Sequence, residues 1–260
     1  MVWNRDFLAV REVIFDHDGM TSIRPSDELS VLAGYAAWAP WYDGDGNPLT
    51  ALEGPALRAW FGSIGGKRVI DVGCGTGRHT EALLEAGAGR VAALDVTPEM
   101  MERARAKLAG KAVDWVRHAM PAPLPFLDKT FELAVLGLVV EHVANLPAAL
   151  AEVARVLKPG GRCVVSALHP DRTLEGQRAR FIDPATGERR HIITYHRTTD
   201  EYRAAGRAAG LVLDEERALS VSPKLAEKLP RAEPYVGKNL GWVARWKRPF
   251  SEADLSIFAD

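Results

Sequence analysis

Cysteine is scarce in this chain. Only two occur among its 260 residues, Cys74 and Cys163, and they form no spaced metal-ligand set. That usage fits a reducing cytosol better than secretion. Charge of one sign is also lacking: 33 Lys and Arg stand against 34 Asp and Glu, for a net charge of −1. With no dense basic run, nucleic acid is not expected as the main partner. No apolar run approaches the length of about 20 residues that crosses a bilayer, so no membrane span is expected. Arg5, Asp6, Arg11 and Glu12 break up the start of the chain, which does not read as a signal peptide. Internal repeats and low-complexity tracts are missing. What remains is a chain that is 47% hydrophobic, long enough to bury a full core.

The most informative stretch is Val69-Ile70-Asp71-Val72-Gly73-Cys74-Gly75-Thr76-Gly77-Arg78-His79-Thr80. An apolar β-branched run ends in an acid, a glycine-dense turn follows, and an amphipathic helix begins. This strand, tight turn and helix N-terminus let the backbone approach a nucleoside-type cofactor. Strand and helix patterns then alternate from residue 67 to 168. Strands are expected at 68–72, 91–95, 113–117, 131–140 and 162–168. Gly87, Gly110 and the Lys158-Pro159-Gly160-Gly161 run stop the intervening helices. This alternation predicts an α/β fold with a doubly wound, mostly parallel sheet and right-handed crossovers.

Around that unit the pattern is looser. Residues 1–31 are the least legible. Val13-Ile14-Phe15 before Asp16-His17-Asp18-Gly19 reads as a strand and hairpin turn, and it also looks locally like the D-x-D-G motif of haloacid-dehalogenase-type phosphatases. Met20 departs from that motif, and no downstream acidic pair is placed to hold magnesium. Tyr35, Trp38, Trp41 and Tyr42 form an aromatic segment, either a helix packed on the core or a lid over a ligand. Asp43-Gly44-Asp45-Gly46-Asn47 imitates the start of a calcium loop. Pro48 and Gly54 occupy the positions that would need Gly and Glu, so a turn is expected and no metal. A helix is expected at 52–61. Residues 169–197 are polar and slightly basic, with a hairpin around Asp183–Gly187. A helix at 199–209 and strands at 211–219 and 241–246 follow, the last antiparallel at or near an edge. The expected organisation is an N-terminal extension with its aromatic lid at 1–66, a cofactor-binding domain at 67–250 with a lid-like insertion at 169–197, and a tail at 251–260.

Glycine spacing discriminates between nucleoside cofactors. The dinucleotide fingerprint G-x-G-x-x-G needs a third glycine where this chain has Arg78. Asp71 would face a diphosphate badly but can accept from an ammonium, and Asp95, ending the next strand, can take two ribose hydroxyls. At these residues the chain resembles the class I S-adenosylmethionine (SAM)-dependent methyltransferases. Asp71-Val-Gly73-Cys-Gly75-Thr-Gly77 is similar to their first motif and Leu94-Asp95 to their second. Pro123-Leu-Pro125-Phe126, Glu141-His142-Val143 and Leu157-Lys158-Pro159-Gly160-Gly161 extend the likeness over residues 35–168. The small-molecule "type 11" branch, similar to quinone-biosynthesis methyltransferases, matches best in pattern. The resemblance implies a seven-stranded Rossmann-like sheet and SAM as cofactor. It implies contacts from Tyr35, Asp71, Gly73, Gly75, Gly77, Arg78, Asp95, Val96, Met100, Ala119 and Met120. His118 stands where the family often has an Asp toward the adenine.

The expected activity is methyl transfer from SAM to a small-molecule acceptor, at oxygen first and at nitrogen or carbon next. A non-catalytic SAM-binding protein is the alternative, and an NAD-dependent oxidoreductase is disfavoured by the glycine spacing. His142 and His169 each follow a strand at its C-terminal end, where open α/β sheets place ligands. They are the candidate bases, unless each is bonded to a neighbouring loop. Arg78, a cation in the first turn of a helix, opposes the dipole and asks for an anionic partner. His79 is read as packing on its helix face and Cys74 as a small filler of the turn. His191 and His196 are read as solvated surface or as lid. A homodimer is compatible with the chain.

Overall fold

The computed structural model describes residues 28–251 and Asp254. The expected strand and turn at 13–19 lie outside these residues. In chain order the elements are β1 (Glu28–Leu29), α1 (Val31–Trp38), α2 (Pro48–Arg58), β2 (Arg68–Val72), α3 (Arg78–Glu85), β3 (Arg90–Asp95), α4 (Pro98–Lys107) and β4 (Val113–Arg117). Then come β5 (Phe131–Gly137), α5 (Leu146–Val156), β6 (Leu157–Leu168), α6 (Pro170–Leu174), β7 (Arg180–Ile182), β8 (Arg189–Ile192), α7 (Thr199–Ala208), β9 (Val212–Ser220), α8 (Pro223–Lys228) and β10 (Asn239–Lys247).

Seven strands form one sheet in the order β4-β3-β2-β5-β6-β10-β9. The five strands from β4 to β6 are parallel, and β10 is antiparallel to both β6 and β9. The sheet is therefore the mostly parallel, seven-stranded one expected. The final strand is antiparallel as anticipated, one position in from the edge that β9 forms. The chain leaves β2 toward β3 and β4 and returns to β5 on the other side, so the crevice between β2 and β5 is a topological switch point.

Both faces of the sheet are covered, which is why its central strands read as unbroken apolar runs. Val69, Leu133, Val135 and Val164 pack with Leu57, Trp60, Phe61 and Ile64 on one face. Ile70, Val72, Ala134 and Leu136 pack with Val153, Tyr202 and Trp242 on the other. By the two-residue period of a strand, Asp71 points with Val69 toward the α3 side.

Several boundaries shift for local reasons. The second helix begins four residues before the expected Leu52, because the Asn47 side chain accepts from Leu49 N–H at 2.9 Å and Pro48 takes the first helical position. The fifth strand stops at Gly137, not at residue 140. Leu138 has φ +56°, which turns the chain out of the ladder despite its apolar side chain. Its N–H donates to Ser166 Oγ at 3.0 Å instead. A 3₁₀ turn over Val140–His142 follows.

The aromatic segment and the insertion meet. A small sheet of order β1-β8-β7 stands beside the main one. Trp38 of α1, Phe181 and Ile192 share a buried cluster with Tyr35 and Tyr42 at its margin. Trp38 stacks on Phe181 with ring centres 5.5 Å apart. Gly34 permits this: a Cβ there would lie 2.6 Å from Ile192 Cγ1. Among the described residues no helix is long and apolar enough to cross a membrane.

Candidate active site

The glycine turn is shaped by three left-handed residues: Gly73, Gly75 and Gly77 have φ of +74°, +53° and +83°. Only glycine adopts these without strain. Their surroundings differ. A Cβ on Gly73 would lie 2.5 Å from Val139 across the switch point, whereas one on Gly75 would meet nothing within 4 Å. Gly75 therefore borders open space, a cavity of about 350 Å³. Gly73, Gly75, Asp95, Val96, Met100, Ala119, Met120, Tyr35 and His142 all line it. His118 lines it as well, its Nε2 3.0 Å from the Ala122 carbonyl oxygen.

Asp95 is organised for a ligand. One carboxylate oxygen accepts from Gly75 N–H at 2.8 Å and the other from Thr97 N–H at 2.8 Å. Burial raises its pKa, against the lowering effect of these N–H donors. The lining includes this acid and, among the described residues, neither Lys nor Arg. Such a wall suits hydroxyls and repels a diphosphate. The residues thus fit SAM, with Asp95 available to a ribose and open space beside Gly75, and they do not fit a dinucleotide.

Three expected cofactor contacts, Asp71, Gly77 and Arg78, and the candidate base His169 do not line this cavity. Asp71 is fully buried on the α3 side and does not reach the cavity. It accepts from Thr80 Oγ1 at 2.6 Å, and its Oδ1 has no partner. Burial raises its pKa. Its place is one layer behind the glycine turn. Gly77 caps α3 and packs on α4, where a Cβ would meet Ala104 Cβ at 3.0 Å. Arg78 has the anionic partner its position asks for, but that partner is Glu53 at 2.7 Å, not a ligand. His169 caps α6, its Nδ1 accepting from Asp171 N–H at 3.3 Å, and lines neither cavity described here.

Glu53 escaped the sequence reading. It is fully buried and also accepts from His79 Nε2 and Ser166 Oγ, each at 2.7 Å. Burial alone would raise its pKa, but His79, Arg78 and these bonds outweigh it and bring the value to about 2. The available signal was a charge in an apolar stripe, with Leu49 and Leu57 four residues to either side. Asp43, in the calcium-like loop, is held by Thr76 Oγ1 at 2.6 Å and Lys107 at 3.4 Å.

His142 is bonded on both sides. Its Nδ1 lies 2.6 Å from the Ile193 carbonyl oxygen, which can only accept, so Nδ1 carries the proton. Nε2 is then the acceptor for the Tyr35 hydroxyl at 2.9 Å. Burial lowers the His142 pKa to about 4, so the ring is neutral near pH 7. Its basic nitrogen is committed to Tyr35, whose own pKa burial raises well above the usual range. The insertion secures this loop further: Tyr195 N–H donates to the Glu141 carbonyl at 2.7 Å, and Arg197 donates to the carbonyls of Val140 at 3.1 Å and Ala144 at 3.0 Å.

A second cavity of about 300 Å³ adjoins the first, sharing Tyr35, Tyr42 and Leu138 as walls. Trp38, Phe181 and Tyr235 make it aromatic, and Glu141 lines it too. Glu141 is 4% exposed, its Oε1 accepts from Leu168 N–H at 3.3 Å, and its Oε2 has no partner. Burial raises its pKa to about 7. Nothing in the sequence separated Glu141 from His142, because the backbone turn at Leu138 decides which of them faces which cavity.

Known proteins resemble this chain in sequence and fold. Residues 70–165 match the family described as a methyltransferase domain. The chain is 37% identical over 114 residues to a demethylmenaquinone methyltransferase of Tropheryma whipplei, covering 43% of this chain and 46% of that protein. It is 40% identical over 105 residues to the ubiquinone/menaquinone biosynthesis C-methyltransferase UbiE of Desulfotalea psychrophila, covering 40% and 42%. The match thus spans less than half the length of these relatives. A solved SAM-dependent methyltransferase from Mesorhizobium loti superposes with a TM-score of 0.65 at 25% identity, covering 78% of this chain and all of that one. The fold and the glycine turn are similar to those of SAM-dependent methyltransferases, and residues 70–165 match that domain. The methyltransferase family and these neighbours imply SAM as the cofactor.

Proposed function

We propose that this protein transfers a methyl group from SAM to a hydroxyl-bearing ring compound seated in the aromatic cavity. The observation that carries the reading is the pair of adjoining cavities: one bears the acid-lined glycine turn, and the other is aromatic with a buried, unpartnered oxygen on Glu141. The names of the relatives favour a quinone-type ring as acceptor. Two cysteines, both buried and unbridged, fit a cytosolic setting.

In this reading Asp95 accepts from the ribose hydroxyls, Gly73 and Gly75 let the backbone pass beside the cofactor, and His118, Ala119 and Met120 border the adenine. Asp71 supports the turn from behind, where it accepts from Thr80 Oγ1. The bound cofactor supplies an electrophilic methyl, so the protein's main task is alignment, worth about 7–11 kcal/mol in favourable cases. Tyr35, Tyr42 and Leu138 form the passage between the cavities. His142 holds Tyr35 at that passage and acts as a positioning residue. Glu141 takes the proton of the acceptor hydroxyl, since a carboxyl with a pKa of about 7 is well matched to a base working near neutrality.

Transfer to the ring oxygen is the reading we adopt. Deprotonation would also activate a neighbouring ring carbon, and the C-methyltransferase name of one relative favours that second outcome. The test is incubation with methyl-labelled SAM and a panel of phenols and reduced quinones, with product structure read by NMR. A methyl ether supports oxygen transfer, and a ring methyl supports carbon transfer. Binding of SAM with no product from any acceptor would leave a SAM-binding protein.

A further inference from the structure

The wall of the aromatic cavity carries more cation than its acids neutralise. Arg178, Arg180, Arg189 and Arg231 line it, against Asp45 and Glu141. Two of the arginines are matched: Arg231 pairs with Asp45 at 2.6 Å and Arg178 with Glu28. The other two have no carboxylate partner among the described residues. Arg180 donates to the Tyr235 hydroxyl at 3.0 Å and is half-buried. Arg189 is exposed at the mouth.

The register of the hairpin sets these two together. Arg180 pairs with His191 and Ile182 with Arg189, so Arg180 and Arg189 share one face of β7 and β8 as diagonal neighbours. The positive potential is felt locally: burial lowers the His191 pKa, and Arg180, Arg189 and Arg178 lower it further. Two guanidinium groups on one face of a hairpin, with no carboxylate partner among the described residues, suit a bound oxyanion.

We propose that Arg180 and Arg189 anchor a negatively charged substituent of the acceptor, a carboxylate or phosphate, while its ring lies among Trp38, Phe181 and Tyr235. This deepens the methyltransferase reading and rests on it: the acceptor class becomes an anionic, hydroxyl-bearing ring. The anchor fixes one end of the molecule, so the hydroxyl at the other end is presented to Glu141 in one orientation.

The test uses the whole chain saturated with S-adenosylhomocysteine. Three probes are titrated: 4-hydroxybenzoate, its methyl ester, and 4-hydroxyphenyl phosphate. The proposal predicts that at least one anionic probe binds about tenfold or more tightly than the neutral ester, with a preference that weakens as salt rises. The preference should vanish in the Arg180→Gln/Arg189→Gln double variant and reverse in Arg189→Glu, with S-adenosylhomocysteine affinity unchanged in both. The carboxylate and phosphate probes separate the two oxyanions. Equal binding of ester and anions, or a preference that survives the double variant, overturns the proposal. Failure of S-adenosylhomocysteine to bind the unmutated chain overturns the underlying methyltransferase reading instead, and the two failures are read from different titrations.

Discussion

Asp95 and Glu141 are buried acids with opposite relations to their surroundings. Asp95 has both oxygens held by backbone N–H groups and faces the cavity, whereas Glu141 has one oxygen with no partner. Removing Asp95 takes away a charged acceptor, so Asp95→Ala should weaken SAM binding by about 10–100-fold in calorimetry. For Glu141 the consequences lie in pH. Its folded pKa, about 7, is above the ordinary 4.5. The folded state therefore binds more protons than the unfolded one between those values, and stability falls as pH rises from 4.5 to 7. Its role as a base requires the opposite condition, since the carboxylate forms only as pH passes about 7. Glu141→Gln should flatten the fall in melting temperature between pH 5 and 8 and should abolish the rise of kcat near pH 7. A kcat profile unchanged by Glu141→Gln would remove Glu141 from the reaction. Asp95 was legible in the sequence because it ends the next strand after the glycine turn and its helix. Glu141 was not, because its exposure depends on the φ +56° turn at Leu138.

The elements around the site are locked by polar contacts as well as by the core. Glu53 of α2 holds Arg78 and His79 of α3 and Ser166 of β6. Glu53→Ala would leave these groups facing a buried void and should cost about 3 kcal/mol of unfolding free energy in denaturant titration, the lower end for a broken buried pair because Arg78 keeps access to water. Here the sign of the pH effect is reversed. The folded pKa of Glu53, about 2, is below its ordinary 4.5, so its contribution is complete above pH 4.5 and is lost as pH falls toward 2. Gly73→Ala should lower the melting temperature and abolish SAM binding together, since a Cβ there meets Val139 at 2.5 Å in a left-handed backbone. The parallel strands and the helices between them were legible because both faces of the sheet are covered and the runs are apolar. The start of α2 was less so, because Asn47-Pro48 serves equally as a turn and as a helix cap. The joining of the Tyr35 segment to the 169–197 insertion was not legible at all. It rests on tertiary contacts such as Trp38 on Phe181 and Gly34 against Ile192, which leave only aromatic density as a trace in the sequence.

At the scale of the whole molecule, two adjoining cavities lie at the C-terminal ends of the parallel strands, where the sheet changes direction. One is lined by the glycine turn and Asp95, the other by the aromatic segment and the 169–197 insertion. The cofactor half follows from a motif whose spacing survives in the sequence. The acceptor half follows from which loops pack together, so it needed the structure. The central claim is that the first cavity takes SAM and not a dinucleotide. Its most direct measurement is the thermal stability of the unmutated chain and Asp95→Ala with SAM, S-adenosylhomocysteine and NADH, each at about 100 times a dissociation constant, where binding adds about 2.7 kcal/mol. The account predicts that both SAM ligands stabilise the unmutated chain, that NADH does not, and that Asp95→Ala loses about half of the effect or more. Stabilisation by NADH with none from SAM or its product would contradict it.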